Sequence, residues 1–376
     1  MPPRKTSLNS LARKFAPSYS CFMQARDDSF SNAANQNRRD GQGPVAGLDL
    51  GTNNCRLLVA EPRGQEFHVI DSFSRSVRLG DSIEATGVLS EDAMDRTIEA
   101  LMICADKVRR AGVSGFRAVA TAACRQAQNG EEFAVRAREA TGVNLEIISA
   151  EEEARLAVSG CGPLVDAEAE QVLVFDIGGG STELVLLDVS EAAPENRVSL
   201  VQAAGAANNP VRIVEWTSVP VGVATLQDKF AEIADPGRRY GLMTWYFEEL
   251  IAGFAQDMPT SGRQARLQLI GASGSVTTIG SAHLGLKRYD RSKVDGLWVP
   301  VRSVRRIARE LASLNDFARA QHPSVGAERA KLIVASCAIL TAILNYWPAS
   351  ELRVADRGLR EGLIYAQIAE PKAQAS

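Results

Sequence analysis

Apolar and polar positions divide this chain into a polar start and two similar globular halves. Up to Pro44 no apolar run is sustained, and residues 1–44 read as a disordered tail. From Val45 short apolar runs alternate with amphipathic stretches. Val45 to Leu50 and Cys55 to Glu61 read as two strands joined by a Gly-Thr-Asn turn, and Phe67 to Val77 continues as a third. Leu79 to Val88 reads as a loop. Ser90 is placed to cap a helix whose Met94, Ile98, Leu101, Met102 and Val108 recur at helical spacing until Gly112. Phe116 to Thr121 predicts a strand, Gly130 to Thr141 a helix, and Leu145 to Ile148 another strand. Strand and helix in alternation predict an α/β layer with a largely parallel sheet.

The second half opens on the chain's most informative stretch, Val172 to Asp188, VLVFDIGGGSTELVLLD. Two β-prone runs joined by glycines predict a hairpin, whereas the common nucleotide-binding loops need a helix after their glycines. A glycine turn of this kind exposes backbone N–H groups that surround an anion. Asp176 stands at its rim, where a carboxylate holds a divalent cation against phosphate oxygens. Gly47 to Glu61, GLDLGTNNCRLLVAE, repeats the pattern: Asp49 falls on Asp176, Gly51 on Gly178 and Arg56 on Glu183, 127 residues apart. Two such hairpins one domain apart predict related halves whose phosphate turns face each other across a cleft.

Beyond Asp188, residues 190–211 read as a low-complexity surface insertion. A strand near Val211 to Pro220 follows, then helices to about Met258, and strand Leu267 to Gly271 runs into a third small-residue turn, Ala272 to Thr278. Leu332 to Trp347 is an apolar run of 16 residues, short for a bilayer and interrupted by Ser336, Thr341 and Asn345, so it reads as a buried helix. Strand Leu352 to Ala355 and a last helix close the chain.

Composition narrows the chemistry. The chain of 376 residues suits two domains, 45–165 and 166–370. Its net charge of −3 divides into +4 for residues 1–44 and −7 for the rest, so nothing global points to nucleic acid or a membrane surface. Six cysteines without a Cys-x-x-Cys pair, and three histidines, argue against a zinc cluster or a disulfide framework, and the cytoplasm is the expected location. Lys287, Arg288, Arg291 and Lys293 form the best local anion attractor of the second half.

The segment Ser149 to Leu156 carries three adjacent glutamates. With Ser149 as N-cap, Glu152 stands at the third helical position, as in a capping box, and Glu151 suits the positive end of the helix dipole. Glu153 is left without a capping role, just after a strand end where α/β active sites gather. A carboxylate there, facing the phosphate turns, orients and deprotonates a water.

The segments DLGTNNCRLLVAE, TAACRQAQN, IISAEEEARL, VLVFDIGGGSTELV, SVPVG, LIGASGSVTT and VADRGLREGLIYA together resemble the exopolyphosphatase/guanosine pentaphosphate phosphohydrolase family. The resemblance implies two actin-like (ribonuclease H-like) α/β domains of the actin–Hsp70–sugar kinase superfamily, with the active site in the interdomain cleft. It implies that Glu153 is the catalytic base and that Arg125, close to the cleft, helps stabilise the equatorial oxygens of the transferred phosphate. Asp176 and Glu183 would be the catalytic and metal-organising carboxylates, with Asp49 as a further metal candidate and Mg²⁺ as the cofactor. Gly51, Thr52, Asn53 and Asn54 match one phosphate loop, and Gly178, Gly179, Gly180, Ser181 and Thr182 the other. Arg56, Gly271, Ser273, Gly274, Arg357 and Arg360, with the basic run at 287–293, are candidates for holding a polyanion or nucleotide. Two positions depart from the family's usual pattern: Ala150 stands where glycine is common, and Asn54 where serine is common.

The resulting expectation is a hydrolase of terminal phosphoanhydrides, taking inorganic polyphosphate first and guanosine pentaphosphate as the alternative. A kinase of the same superfamily lacks an acceptor-sugar motif here, a structural ATPase usually carries larger insertions, and a non-catalytic alarmone-binding module would not need the Glu153–Asp176–Glu183 set. The sequence leaves the oligomeric state open, with a homodimer as the candidate assembly.

Overall fold

The computed structural model of the protein describes residues 43–81, 83–206, 208–256 and 266–369. The expected tail and Met258 lie outside the described residues, apart from Gly43 and Pro44.

The first half begins with an antiparallel meander, β1 (Val45–Leu50), β2 (Asn54–Arg63) and β3 (Glu66–Ser76). A short helix α1 (Ile83–Thr86) sits within the stretch read as a loop. Helix α2 (Glu91–Ala111) is capped by the Ser90 hydroxyl, which accepts from the Ala93 N–H, and ends at Gly112 with a left-handed φ of 57°. Then come β4 (Gly115–Ala120), α3 (Ala122–Gln126), α4 (Gly130–Thr141) and β5 (Leu145–Ile147). The sheet order is β3-β2-β1-β4-β5, with β1, β4 and β5 parallel.

Helix α5 (Ala150–Cys161) leads to the second half, where β6 (Gln171–Ile177), β7 (Thr182–Asp188) and β8 (Arg212–Val219) form a second meander. Between β7 and β8 lies α6 (Arg197–Gln202). Helices α7 (Val223–Lys229) and α8 (Pro236–Gln256) precede β9 (Leu267–Ala272) and α9 (Gly274–His283). The remaining elements are α10 (Arg291–Val294), β10 (Trp298–Pro300), α11 (Val301–Ser313), α12 (Asp316–Gln321), α13 (Gly326–Arg329), α14 (Ile333–Tyr346), β11 (Glu351–Ala355) and α15 (Leu359–Ala369). The second sheet runs β10-β11-β9-β6-β7-β8. Without its edge strand β10 it repeats the order of the first, with β6, β7, β8, β9 and β11 in the places of β1 to β5. Two related α/β halves are therefore present, as the paired hairpins predict.

The cores follow from the strand patterns. The central strand β6 is buried on both faces through Val172 to Phe175, as expected of a parallel strand covered by helices. Strand β3, at a sheet edge, alternates partly buried and exposed positions. Helix α14 is buried nearly all round, from Ile333 to Leu344. Among the described residues no helix is long and apolar enough to cross a membrane.

One expectation about organisation needs refining and one needs correction. Among its described residues the insertion 190–211 is mostly exposed but anchored: Ala192, Val201 and Ala204 are buried against α5, and the Arg197 guanidinium donates to the carbonyls of Asp166, Ala167 and Ala192. The last helix, α15, was counted with residues 166–370, yet it packs on β1, β2 and α5. Leu359, Leu363 and Leu156 share a small core with Val119 and Ile148 of the first half. Helices α5 and α15 meet backbone to backbone at glycines, which is the joint between the halves. A Cβ on Gly160 would lie 1.9 Å from the Gly358 carbonyl oxygen, and one on Gly362 would lie 2.0 Å from that of Leu156.

Candidate active site

The two hairpin turns are built alike. Gly51 N–H donates to the Asn54 carbonyl at 2.9 Å, and Gly178 N–H donates to the Ser181 carbonyl at 2.9 Å. Across the strands, Asp49 pairs in register with Arg56, and Asp176 with Glu183. Sheet pairing therefore puts an Asp–Arg couple and an Asp–Glu couple at equivalent places in the two halves.

Each turn is tied down from behind. The Gly178 and Gly179 carbonyls accept from the first N–H groups of α7, Val223 at 2.9 Å and Ala224 at 2.8 Å. In a trans peptide the next N–H points the opposite way, so the N–H groups of Gly179 and Gly180 turn into the cleft. In the first turn the Thr52 carbonyl accepts from Gly80 N–H at 2.9 Å, which turns the Asn53 N–H forward by the same logic. The turns touch: a Cβ on Gly180 would stand 2.5 Å from Thr52 Oγ1, and one on Gly179 would stand 3.2 Å from Asn53 N. Bare backbone is needed there because the opposing turn fills the space a side chain would take. Thr182, expected among the phosphate ligands, is instead fully buried with its hydroxyl donating to the Val221 carbonyl at 2.8 Å.

Glu153 enters from α5. Ser149 Oγ accepts from Glu152 N–H at 3.1 Å, which fixes the first turn of the helix. The reciprocal half of the expected capping box is missing, because the Glu152 carboxylate is held by Arg155 and Arg117. Glu153, one position on, faces the cleft with its side chain 12% exposed. Arg125 Nη1 donates to Glu153 Oε2 at 3.0 Å and to the Ile148 carbonyl at 3.0 Å. Arg125 is thus placed behind the glutamate, among residues that do not line the cleft, where it orients Glu153.

Four carboxylates converge on the cleft, and burial acts on all of them. It pushes Glu153 up to about 7, against the lowering influence of Arg125 and with Asp49 and Asp176 adding to the rise. It raises Asp176 to about 6, opposed by Arg56 and reinforced by Asp49. Asp49 is raised by burial, with Arg56 and Arg360 opposing. Glu183 is pushed well above the usual range by burial and by the charges of Glu153 and Asp176, although Ser218 Oγ donates to its Oε1 at 2.9 Å.

This donor set suits a hard cation, because carboxylate oxygens crowded together repel one another until a positive charge stands between them. Among the described residues, however, no three His, Cys, Asp or Glu side chains are arranged to hold a metal unaided. The fit is therefore to Mg²⁺ that takes one or two of Asp176, Glu183 and Asp49 together with phosphate oxygens, rather than to a cage made by the protein alone.

The cleft, a cavity of ≈ 350 Å³, is lined by Asp49, Gly51 to Asn54, Arg56, Glu153, Asp176, Gly178 to Ser181, Glu183, Ser273 and Gly274 among others. Ser273 has a φ of 108°, a strained value for a side-chain-bearing residue, and its hydroxyl accepts from Ser275 N–H at the start of α9. Gly271 is a packing residue outside the lining, since a Cβ there would lie 2.7 Å from the Phe175 ring.

The expected basic run does not reach the cleft. Lys287 and Arg288 are exposed elsewhere, Arg291 pairs with Glu361 and Asp356, and Lys293 with Asp290. Arg357 pairs with Asp295. Arg360 also stays outside the lining, behind Asp49 and Asp176.

Arg329 was missed. It stands at the cleft wall beside Arg56: a Cβ on Gly274 would lie 3.7 Å from an Nη2 atom of each. Its Nη1 donates to Thr278 Oγ1 at 2.9 Å, and burial together with the like charge of Arg56 lowers its pKa. The segment VGAERAKL carries no motif, so only the fold reveals that α13 brings this guanidinium opposite the first hairpin.

Comparison with known proteins agrees with this geometry. Residues 58–370 match the model of the Ppx/GppA phosphatase family. The fold is similar to that of an Aquifex aeolicus member of that family, with TM-score 0.69 and 26% identity over 87% of this chain and 97% of the other. An exopolyphosphatase-like protein gives TM-score 0.73 and 26% identity over 85% and 97% of the two chains. An exopolyphosphatase from Cytophaga hutchinsonii shares the fold with TM-score 0.73, at 23% identity over 86% and 97%.

Proposed function

The chain belongs to the Ppx/GppA phosphatase family, and from that premise we propose that it releases orthophosphate from the end of inorganic polyphosphate. The observation that carries the reading is the placing of Glu153. It is a buried carboxylate held by Arg125 at the mouth of two backbone turns, with its pKa raised to about 7. A base poised near the working pH is half ionised there, and so both accepts a proton and drives its transfer.

In the proposed reaction the terminal phosphate sits in the cleft at the rim where the two turns meet, its oxygens accepting from the N–H groups of Gly179, Gly180 and Asn53. Arg56 and Arg329 hold the phosphates that follow. Water attacks the terminal phosphorus in line with the bridging oxygen, and its proton passes to Glu153. The bridging P–O bond breaks with its electron pair on the shortened chain. A Mg²⁺ ion held by Asp176, Glu183 and the substrate would neutralise phosphate charge. Since the transition state of phosphoryl transfer is loose, positioning and electrostatics carry most of the rate.

Guanosine pentaphosphate is the second reading. Glu328, Leu332 and Ile333 line the cleft alongside Arg329, a polar and apolar surface of the kind that seats a nucleoside. Phosphate release with Mg²⁺ from long-chain polyphosphate, guanosine pentaphosphate and ATP tests both. Faster release from polyphosphate supports the first, and faster release from the pentaphosphate replaces it with the second. No release from any of the three overturns the hydrolase reading in favour of a nucleotide-binding module.

A further inference from the structure

Helix α11 presents four arginines on one face. Arg302, Arg305, Arg306 and Arg309 recur at helical spacing opposite the buried Val301, Val304, Ile307, Ala308 and Leu311. Arg302, Arg306 and Arg309 are exposed and Arg305 is partly so. Arg306 pairs with Glu310. Arg305 donates to Asn345 and to the Leu344 carbonyl, and Arg309 Nε donates to the Arg305 carbonyl. Among the described residues, only Arg306 of the four has a carboxylate in ion-pair contact. In a chain whose residues beyond the tail carry −7, this is a local concentration of positive charge facing water.

The helix runs towards the cleft. Val301 N–H donates to the Ser350 carbonyl and Arg305 reaches Leu344, so α11 runs antiparallel to α14. Ile333 and Ser336, in the first turn of α14, line the cleft. The C-terminal end of α11 is therefore the end nearer the active site, and Arg309 precedes Arg302 on the way out. Arg302 to Arg309 spans about 10 Å of helix, long enough to meet several successive phosphates.

We propose that this arginine face is an exosite that holds distal phosphates of long-chain inorganic polyphosphate whose end lies in the cleft. The inference rests on the polyphosphate reading above. Guanidinium groups bind phosphate oxygens bidentately, and a row of them suits a linear polyanion. Single-stranded nucleic acid fits less well, because α11 has no aromatic residue on which bases stack.

The test uses the full chain with Arg302→Ala, Arg306→Ala and Arg309→Ala combined. Arg305 is kept because it ties α11 to α14, and the thermal midpoint is measured to confirm folding. Long-chain polyphosphate should bind at least ten-fold more weakly to the variant and with a shallower salt dependence. Tripolyphosphate, too short to reach α11 from the cleft, should be hydrolysed at the wild-type rate. The corresponding triple lysine variant should keep most of the long-chain binding. Unchanged long-chain binding, an equal loss for tripolyphosphate, or preference of this face for RNA of the same length would overturn the proposal. If long chains bind at α11 and are never cleaved, the hydrolase reading fails while the exosite stands.

Discussion

Arg125 offers the sharpest dissection of the site, because its contacts are few and directional. Its Nη1 holds Glu153 Oε2 and the Ile148 carbonyl, each at 3.0 Å, and the pair is mostly buried, with side chains 24% and 12% exposed. Replacing it by Met keeps much of the packing and removes the charge. A hydrogen bond to a charged group contributes about 1.5–3 kcal/mol, and one pKa unit is about 1.4 kcal/mol. Since Arg125 lowers the Glu153 pKa, its loss should raise that pKa by about one unit, the low end of the range being chosen for the residual exposure. A general base works in its ionised form, so the acidic limb of the rate profile should move to higher pH. With the wild-type group at about 7, the ionised fraction at pH 7 falls from about half to about a tenth. Steady-state kcat/KM for phosphate release, measured across the pH range, should therefore drop about five-fold at pH 7 and recover most of the difference in the alkaline plateau. A limb that stays in place or moves to lower pH would refute the role of Arg125 as the clamp on an ionised Glu153.

Two further predictions concern stability. Gly362→Ala places a methyl about 2 Å from the Leu156 carbonyl oxygen at the crossing of α5 and α15. It should destabilise the protein by about 1–3 kcal/mol, and an unaltered urea midpoint would contradict the close approach. Asp176 has a folded-state pKa of about 6 against an ordinary 3.8, so the folded state disfavours its ionised form and loses stability as pH rises through 6. In metal-free buffer Asp176→Asn should raise the thermal midpoint at pH 8, by up to about 3 kcal/mol in stability, while abolishing turnover. The gain should shrink as pH falls below 6 and vanish by about pH 3, below the ordinary 3.8, where the carboxyl is neutral in both the folded and the unfolded state. A gain that grows towards acid pH would show the sign to be wrong.

Local chemistry was the legible part of this protein. The hairpins, the Ser90 and Ser149 caps, and the glycine ending α2 each depend on residues within one turn or one strand pair, so their signals lie side by side in the chain. The equivalence of Asp49 with Asp176 reappears as the shared strand order of the two sheets. What could not be read there rests on contacts between distant segments. Arg329 reaches the cleft only because α9, α13 and the first hairpin meet in space. The return of α15 to the first sheet rests on Gly160, Gly358 and Gly362, glycines that resemble any others until the two backbones touch. Arg291 of the basic run reads as available because its partners Asp356 and Glu361 come from the end of the chain. The anchoring of residues 190–211 was not legible because Ala192, Val201 and Ala204 meet α5 only in space.

The most direct test of the account is single-turnover phosphate release from polyphosphate by Glu153→Gln, which keeps the shape of the side chain and removes its ability to take a proton. Substrate binding should be retained, the rate should fall by about 10²–10⁴-fold, and the acidic limb near pH 7 should disappear with the carboxylate. Release at close to the wild-type rate would show that another group accepts the proton, and the central role given to Glu153 would be wrong.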